Sequence, residues 1–312
     1  MLLEIRENEP LKKYSTFRIG GSAKFFVVAK SKEEILEAVA FAKKENLPFF
    51  ILGGGSNILF SDEGYNGLII KIQNNEDKIS DAKIVVEAGS LLGSVVSKTA
   101  GVGLSGLEWA AGIPGTIGGA IVGNAGAFGE SMKEIVKSVE AYDLESGETR
   151  IFDNNDCGFD YRESIFKKNR NLIIFSAEIW LEKKDIGFVR AKIKDCLVYR
   201  KNTQPLESSS GSVFKHLKAI RENLRILETI PGYGKLKIHE GGTIPTGFVI
   251  EKCGLKGKKV GGAEISDKHA NFIVNKGDAT AKDVMELIGV IKEKVREKFG
   301  FKLEEEIKIL SV

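Results

Sequence analysis

The 312-residue sequence predicts an α+β protein of two or three domains, and three patterns carry that prediction. Residues 24–59 read as strand, helix and strand ending in a run of three glycines. A second strand-and-helix unit over 83–100 leads into an apolar stretch, Gly101 to Gly129, in which ten of 29 residues are glycine. Further on, an amphipathic helix over 281–299 is followed by a short strand pattern.

Taken in order, Tyr14 to Ala23 leads into the strand-like Lys24-Phe25-Phe26-Val27-Val28. A helix is expected over Ser31 to Asn46, with Ser31 and Glu34 spaced as a capping box and Ile35, Leu36, Val39 and Ala42 as its apolar stripe. Pro48 to Leu52 has a buried-strand pattern and runs directly into Gly53-Gly54-Gly55-Ser56-Asn57-Ile58-Leu59. One or two glycines would make a plain tight turn. Three, followed by two side chains that hydrogen-bond phosphate, suit nucleotide or flavin phosphates. Leu68–Ile72 and Lys83–Glu87 read as further strands, and Ser90 is placed to cap a helix over Leu91 to Ala100. A cleft between two such units would hold an extended dinucleotide at both ends. Near the C-terminal end, Thr280 and Asp283 signal a helix start. Val284, Leu287, Ile288, Ile291, Val295 and Phe299 form its core face and Gly300 ends it. Ile307 to Leu310 then returns as a strand. No internal repeat is visible.

Within 101–129, Glu108 is the only charge, and the glycines are mixed with Leu104, Leu107, Trp109, Ile113, Ile117, Ile121, Val122 and Phe128. A flexible linker would carry serine, proline or charge instead. Glycine among apolar residues implies buried backbone that turns sharply and admits a ligand closely. Gly101-Val102-Gly103-Leu104-Ser105-Gly106 spells the dinucleotide fingerprint, but it follows a helix rather than a strand and is read as a chance match. The chain contains no G-x-x-x-x-G-K-[ST] loop.

A charged fraction of 29% and a hydrophobic fraction of 42% fit a soluble globular protein. The net charge of +3 is too small to imply a nucleic-acid partner, yet it allows local clusters of cations for an anionic small molecule. Cys157, Cys196 and Cys253 are odd in number and far apart, so free thiols are expected. The start MLLEIRENEPLKK lacks a signal-peptide core, and no apolar run reaches membrane-spanning length. A cytoplasmic protein, without membrane insertion, is the expectation. No His, Cys and Asp cluster has metal-ligand spacing.

In order along the chain stand STFRIGG (15–21), LGGGSNIL (52–59), GLSGLEWAAGIPGTIGGAIVGNAGAFG (103–129), CGFDYRESIFK (157–167), QPLESSSGSVFK (204–215), GLKGKKVGGAEIS (254–266), HANFIVN (269–275) and LEEEI (303–307). With these the chain resembles the UDP-N-acetylenolpyruvoylglucosamine reductase family over nearly its whole length. The resemblance implies a PCMH-type two-part FAD-binding domain plus a smaller α+β substrate-binding domain. It suggests segments 1–73 and 74–198 as the two FAD-binding parts, 199–300 as the substrate domain, and 301–312 as a strand returning to the FAD region. It further implies non-covalent FAD, NADPH as hydride donor, a UDP-sugar substrate and a monomer. The cofactor contacts it suggests are Gly53, Gly54, Gly55, Ser56, Asn57 and Ile58 in the first loop. In the second they are Gly112, Ile113, Pro114, Gly115, Thr116, Gly118, Gly119, Asn124, Ala125 and Gly126.

Hydride addition to an enol ether conjugated to a carboxylate leaves enolate-like charge on that carboxylate. Such chemistry needs a cation or donors aimed at the charge, and an acid to protonate the neighbouring carbon. Arg162 offers a planar fork, although by sequence alone it also reads as a surface arginine paired with Asp160 or Glu163. Ser212, among Ser208, Ser209, Ser210 and Gly211, reads by default as a loop residue, with Lys215 near it in sequence. Glu306 belongs to three adjacent acids that read as a solvated strand end. The resemblance assigns these three to the catalytic positions: Arg162 for the enolate, Ser212 as proton donor and Glu306 as the third. For the substrate it implies Tyr161, Arg200, Lys256, His269 and Lys308. His269 reads equally as a hydrogen-bonding histidine at a strand edge.

Two departures from the family pattern stand out. Glu305 replaces an expected proline between two glutamates, and His216-Leu217 replaces an expected Asn-Pro pair. The segment 218–242 reads as an added helix and loop, with Ile220, Leu224 and Leu227 on the helix and Pro231, Gly232 and Gly234 breaking it. Overall the chain resembles the short subtype, which lacks an extra tyrosine-bearing loop. Two other readings are a flavin oxidase acting on an alcohol or sugar, and a non-catalytic nucleotide-binding module. The oxidases often tether flavin through His or Cys, and neither occurs in the glycine regions.

Overall fold

A computed structural model describes residues 3–236, 238 and 242–311. The chain divides into two compact units, each assembled from separate segments. The first comprises Met1–Glu9, Ala23–Gly55 and Tyr65–Asn202; the second comprises Pro10–Ser22, Ser56–Gly64 and Thr203–Val312.

Two larger sheets form the body of the first unit. In the four-stranded sheet the order is Arg6–Pro10, Ser22–Ala29, Tyr65–Ile72, Phe49–Leu52. Tyr65–Ile72 runs parallel to both of its neighbours, as a β–α–β connection through the helix Lys32–Lys44 requires. That helix starts at Ser31, whose hydroxyl accepts the Glu34 N–H at 3.2 Å. The expected reciprocal bond goes elsewhere: the Glu34 carboxylate accepts the Lys30 N–H at 2.7 Å, so only half of the capping box forms. Ile35, Ala38, Val39 and Ala42 bury its inner face.

The second sheet is antiparallel, in the order Glu148–Asp153, Val136–Asp143, Leu172–Trp180, Lys83–Glu87, Asp77–Ser80. After Lys83–Glu87 comes the helix Leu92–Gly101. Ser90 does not cap it: Leu91 occupies the cap position, the Leu92 N–H donates to Gly115 O at 3.0 Å, and the buried Ser90 hydroxyl has no partner among the described residues. The backbone of the Gly115 turn thus takes the place of a side-chain cap. The helix Ile186–Thr203 completes the unit.

Around the helix Ala281–Phe299 the second unit packs Phe17, Leu59, Val213, Phe214, Val249, Ile250 and Ile265. Val284, Leu287, Ile288, Ile291 and Val295 are its buried face, and Gly300 ends it at φ 76°. Here the capping box is complete, with Thr280 Oγ1 accepting from Asp283 N–H and Asp283 Oδ2 accepting from Thr280 N–H. Asp62 adds a second anion to the same helix start, accepting the N–H groups of Ala281 and Lys282 at 2.8 and 3.0 Å. Lys259–Val260, Ala263–Ile265 and Ile273–Asn275 form an antiparallel sheet beside the helix. The strand Lys308–Leu310 returns and pairs parallel with Ile58–Phe60. Within the added segment a helix forms over Arg221–Glu228, with Leu227 buried, and the chain then breaks at Gly232. Residues 237 and 239–241, which belong to the expected loop, lie outside the described residues.

Candidate active site

The first unit sets the two glycine loops against each other. A Cβ added at Gly53 would stand 2.6 Å from Thr116 Oγ1, and one at Gly54 would stand 2.6 Å from Gly115 Cα. Any side chain there would force the loops apart. Gly55, Gly112 and Gly115 have φ of 66°, 81° and 138°, conformations that favour glycine. Among the described residues no acceptor is supplied to the N–H groups of Gly54, Gly55, Gly112, Gly115 and Thr116. Backbone donors left open on two facing loops form a receptor for phosphate and for the carbonyls of a flat heterocycle. FAD fits this donor set and the walls without side chains.

Each loop is fastened from behind. Lys71 lies beside Leu52 in the sheet and donates to Gly53 O at 3.0 Å; burial lowers its pKa. Arg200, on the helix Ile186–Thr203, donates from Nε to Ala111 O at 2.9 Å and from Nη2 to Trp109 O at 3.1 Å. Its guanidinium also sits over the Phe128 ring. The buried Glu108 carboxylate accepts the Ser105 hydroxyl and the Gly106 N–H, both at 2.6 Å. Gly118 donates its N–H to Ala88 O, and Thr116 Oγ1 accepts from Gly119 N–H to start the helix Ile117–Val122.

Arg162 belongs to the same unit. Its φ of 55° is unusual for a side chain of that size, and its Nη2 donates to Gly126 O at 2.9 Å. Beside it, Glu163 pairs with Lys167, and Asp160 accepts the Tyr161 N–H. Arg162 also sits over the Tyr161 ring, 5.2 Å from its centroid. Asn124 spends its amide on the backbone, donating to Asp160 O and accepting from Lys133 N–H. The end of the second glycine loop, Tyr161 and Arg162 are thereby joined in one cluster.

In the second unit, Ser212 and Glu306 stand on adjacent backbones. Glu306 N–H donates to Val213 O at 2.8 Å, and Glu305 bridges Phe214. Asn271 holds this turn with three contacts: its carbonyl accepts Val213 N–H, its Oδ1 accepts Phe214 N–H, and its Nδ2 donates to Phe214 O. Gly211, at φ 76°, precedes Ser212. Asn57 ties the same edge, donating to Glu306 O at 3.2 Å and accepting Lys308 N–H at 3.0 Å. The acidic run does not act as one group. Glu304 pairs with Lys215 and Glu305 with Lys292, both through the lysine Nζ.

His269 is largely buried, its ring 4.8 Å from that of Phe272, and burial pushes its pKa below the usual imidazole value. Nδ1 accepts the Asn271 N–H at 3.2 Å, which leaves the proton of the neutral ring on Nε2. Lys256 pairs with Glu251 at 2.9 Å. Close to the departure from the family pattern, His216 Nδ1 lies 3.5 Å from Thr243 Oγ1.

Sequence reasoning missed four supports: Lys71, Glu108, Asp62 and Asn271. Glu108 had a signal, because a lone charge in an apolar stretch must find donors when buried. The cysteines are free, and burial lifts the Cys157 thiol to about 12. Among the described residues no group of acids, histidines and cysteines could hold a metal.

Comparisons with known proteins match this arrangement. Residues 23–153 match the FAD binding domain family, and residues 204–310 match the UDP-N-acetylenolpyruvoylglucosamine reductase C-terminal domain. A UDP-N-acetylenolpyruvoylglucosamine reductase of Syntrophomonas wolfei is 40% identical, covering 98% of this chain and 95% of its own length. The chain belongs to the UDP-N-acetylenolpyruvoylglucosamine reductase family. A second family member, from Caldanaerobacter subterraneus, is 39% identical over 97% of the chain and 92% of its own length. The solved reductase of Thermus caldophilus superposes with a TM-score of 0.77 at 31% identity, covering each chain completely. As a member of this reductase family the chain is an FAD-dependent oxidoreductase with the α+β, PCMH-type fold. No described helix is long and apolar enough to cross a membrane.

Proposed function

We propose that this chain reduces the enolpyruvyl ether of UDP-N-acetylglucosamine enolpyruvate to UDP-N-acetylmuramate, with NADPH as hydride donor, in peptidoglycan precursor synthesis. The observation that carries this reading is the pair of facing glycine loops with open N–H groups, in a chain of this family. Bound FAD would supply the hydride relay between NADPH and the β-carbon of the enol ether. Gly53–Ile58, Gly112–Thr116, Gly118, Gly119 and Asn124–Gly126 form its bed, and Asn124 serves there through the backbone that its amide fixes. Arg162 directs its guanidinium to the substrate carboxylate, where negative charge grows as hydride arrives. Ser212 gives its proton to the neighbouring carbon, so that one hydride and one proton together saturate the double bond. Glu306 supports the Ser212 turn. Tyr161, Arg200, Lys256, His269 and Lys308 bind the UDP-sugar, the cations meeting its diphosphate and carboxylate.

By this reading, segments 1–73 and 74–198 supply the flavin side, 199–300 the substrate side and 301–312 the returning strand. The protein works as a monomer in the cytoplasm; sedimentation of the holoenzyme checks the first of these. The purified protein should show a flavin spectrum and consume NADPH when the enolpyruvyl substrate is added. Failure of substrate to increase NADPH consumption would discard the reductase reading. Ser212→Ala should leave bleaching of the flavin by NADPH intact and slow the return of colour on adding substrate. Equal slowing of both half-reactions would remove Ser212 from the proton-donor role.

A further inference from the structure

The two glycine loops share a feature that their motifs do not spell. In the first, Lys71 Nζ donates to Gly53 O at 3.0 Å; in the second, Arg200 Nε donates to Ala111 O at 2.9 Å. Each held carbonyl belongs to the peptide whose N–H is that of the next glycine, Gly54 or Gly112. Neither N–H has an acceptor among the described residues. In a trans peptide the C=O and N–H bonds point in opposite directions. A cation that draws the carbonyl to itself therefore turns the N–H to the far side of the loop.

Placing a cation behind a loop is costly, because both side chains are half-buried and lose hydration there. An apolar residue would pack behind the loop more cheaply. Arg200 is further committed by its second bond, to Trp109 O, and by its approach to Gly112, where a Cβ would stand 3.0 Å from Arg200 Cδ. We propose that Lys71 and Arg200 are positioning residues for FAD, each locking one glycine peptide with its N–H presented to the cofactor. The proposal rests on the assignment of both loops to FAD. It gives Arg200 work on the flavin side in addition to any contact with substrate, since the guanidinium has donors beyond the two used on the loop.

The test uses full-length protein stripped of flavin and titrated with FAD by fluorescence, with thermal melting of the same flavin-free samples. Lys71→Met should weaken FAD binding about tenfold or more, the size expected for losing one charge-assisted hydrogen bond, and leave melting unchanged or higher. Arg200→Lys and Arg200→Gln should weaken it by similar factors, because an ammonium cannot bridge two carbonyls as the fork does. An FAD Kd within twofold of wild type in Lys71→Met or Arg200→Lys would overturn the proposal. So would a fall in flavin-free melting in step with affinity in Lys71→Met, which would mark a structural lysine. Wild-type protein that fails to bind FAD would instead end the assignment of the loops themselves.

Discussion

His269 shows how burial turns a single side chain into a sensor of acidity. Desolvation pushes its pKa below 6.5, Lys256 adds to the fall, and a backbone hydrogen bond and Glu251 oppose it. The unfolded chain therefore binds a proton near pH 6.5 that the folded chain refuses. Stability from this group is complete above about pH 6.5 and is lost as pH falls towards the lowered folded value. Melting followed from pH 7.5 to 5 should show a decline that His269→Gln flattens; an unchanged decline would place the titration elsewhere. Residues of this kind were partly legible in the sequence. Arg162, Ser212 and Glu306 became candidates through neighbouring motifs, since alone each has a bland reading. Lys71 gave no signal, because one lysine near the end of an apolar strand reads as a solvated strand end until a parallel neighbour is placed on either side.

At the scale of elements, the two glycine loops make the sharpest demand on residue type. Gly54→Ala adds one methyl group 2.6 Å from Gly115 Cα, a contact that only movement of backbone relieves. The variant should fold, since neither loop contributes a large apolar side chain at that point, but it should retain FAD poorly; stoichiometric flavin after purification would refute this. Helices were the most legible elements. The final one has its apolar spacing, both members of its capping box and its terminal glycine written in adjacent residues. Strands Val136–Asp143, Glu148–Asp153 and Leu172–Trp180 went unread. Val136–Asp143 and Glu148–Asp153 form a hairpin whose second strand is mostly exposed, and the near-continuous burial of Leu172–Phe175 hides the alternation that would mark a half-buried strand. The Leu92–Gly101 helix shows a subtler gap: its start is satisfied by Gly115 backbone, which no local spacing could announce.

For the whole molecule, linear order conceals which segments share a core. Phe17, Ile19 and Leu59 are buried in the second unit with residues from beyond 203. A fragment of residues 203–312 should therefore remain unfolded, with poorly dispersed amide resonances, because it lacks those three side chains and the partner of its last strand. A well-dispersed spectrum would contradict this. The sequence showed that Ile307–Leu310 would be a strand but not that Ile58–Phe60 would receive it. That pairing also has a cost during synthesis. Positions 58 and 308 are separated by about 250 residues, so at roughly 5–20 residues per second the earlier strand waits tens of seconds on the ribosome for its mate. Throughout that delay Ile58, Leu59 and Phe60 are apolar residues without the strand that pairs them or most of the core that buries Leu59, a natural foothold for chaperones and a place where fast expression would favour aggregation.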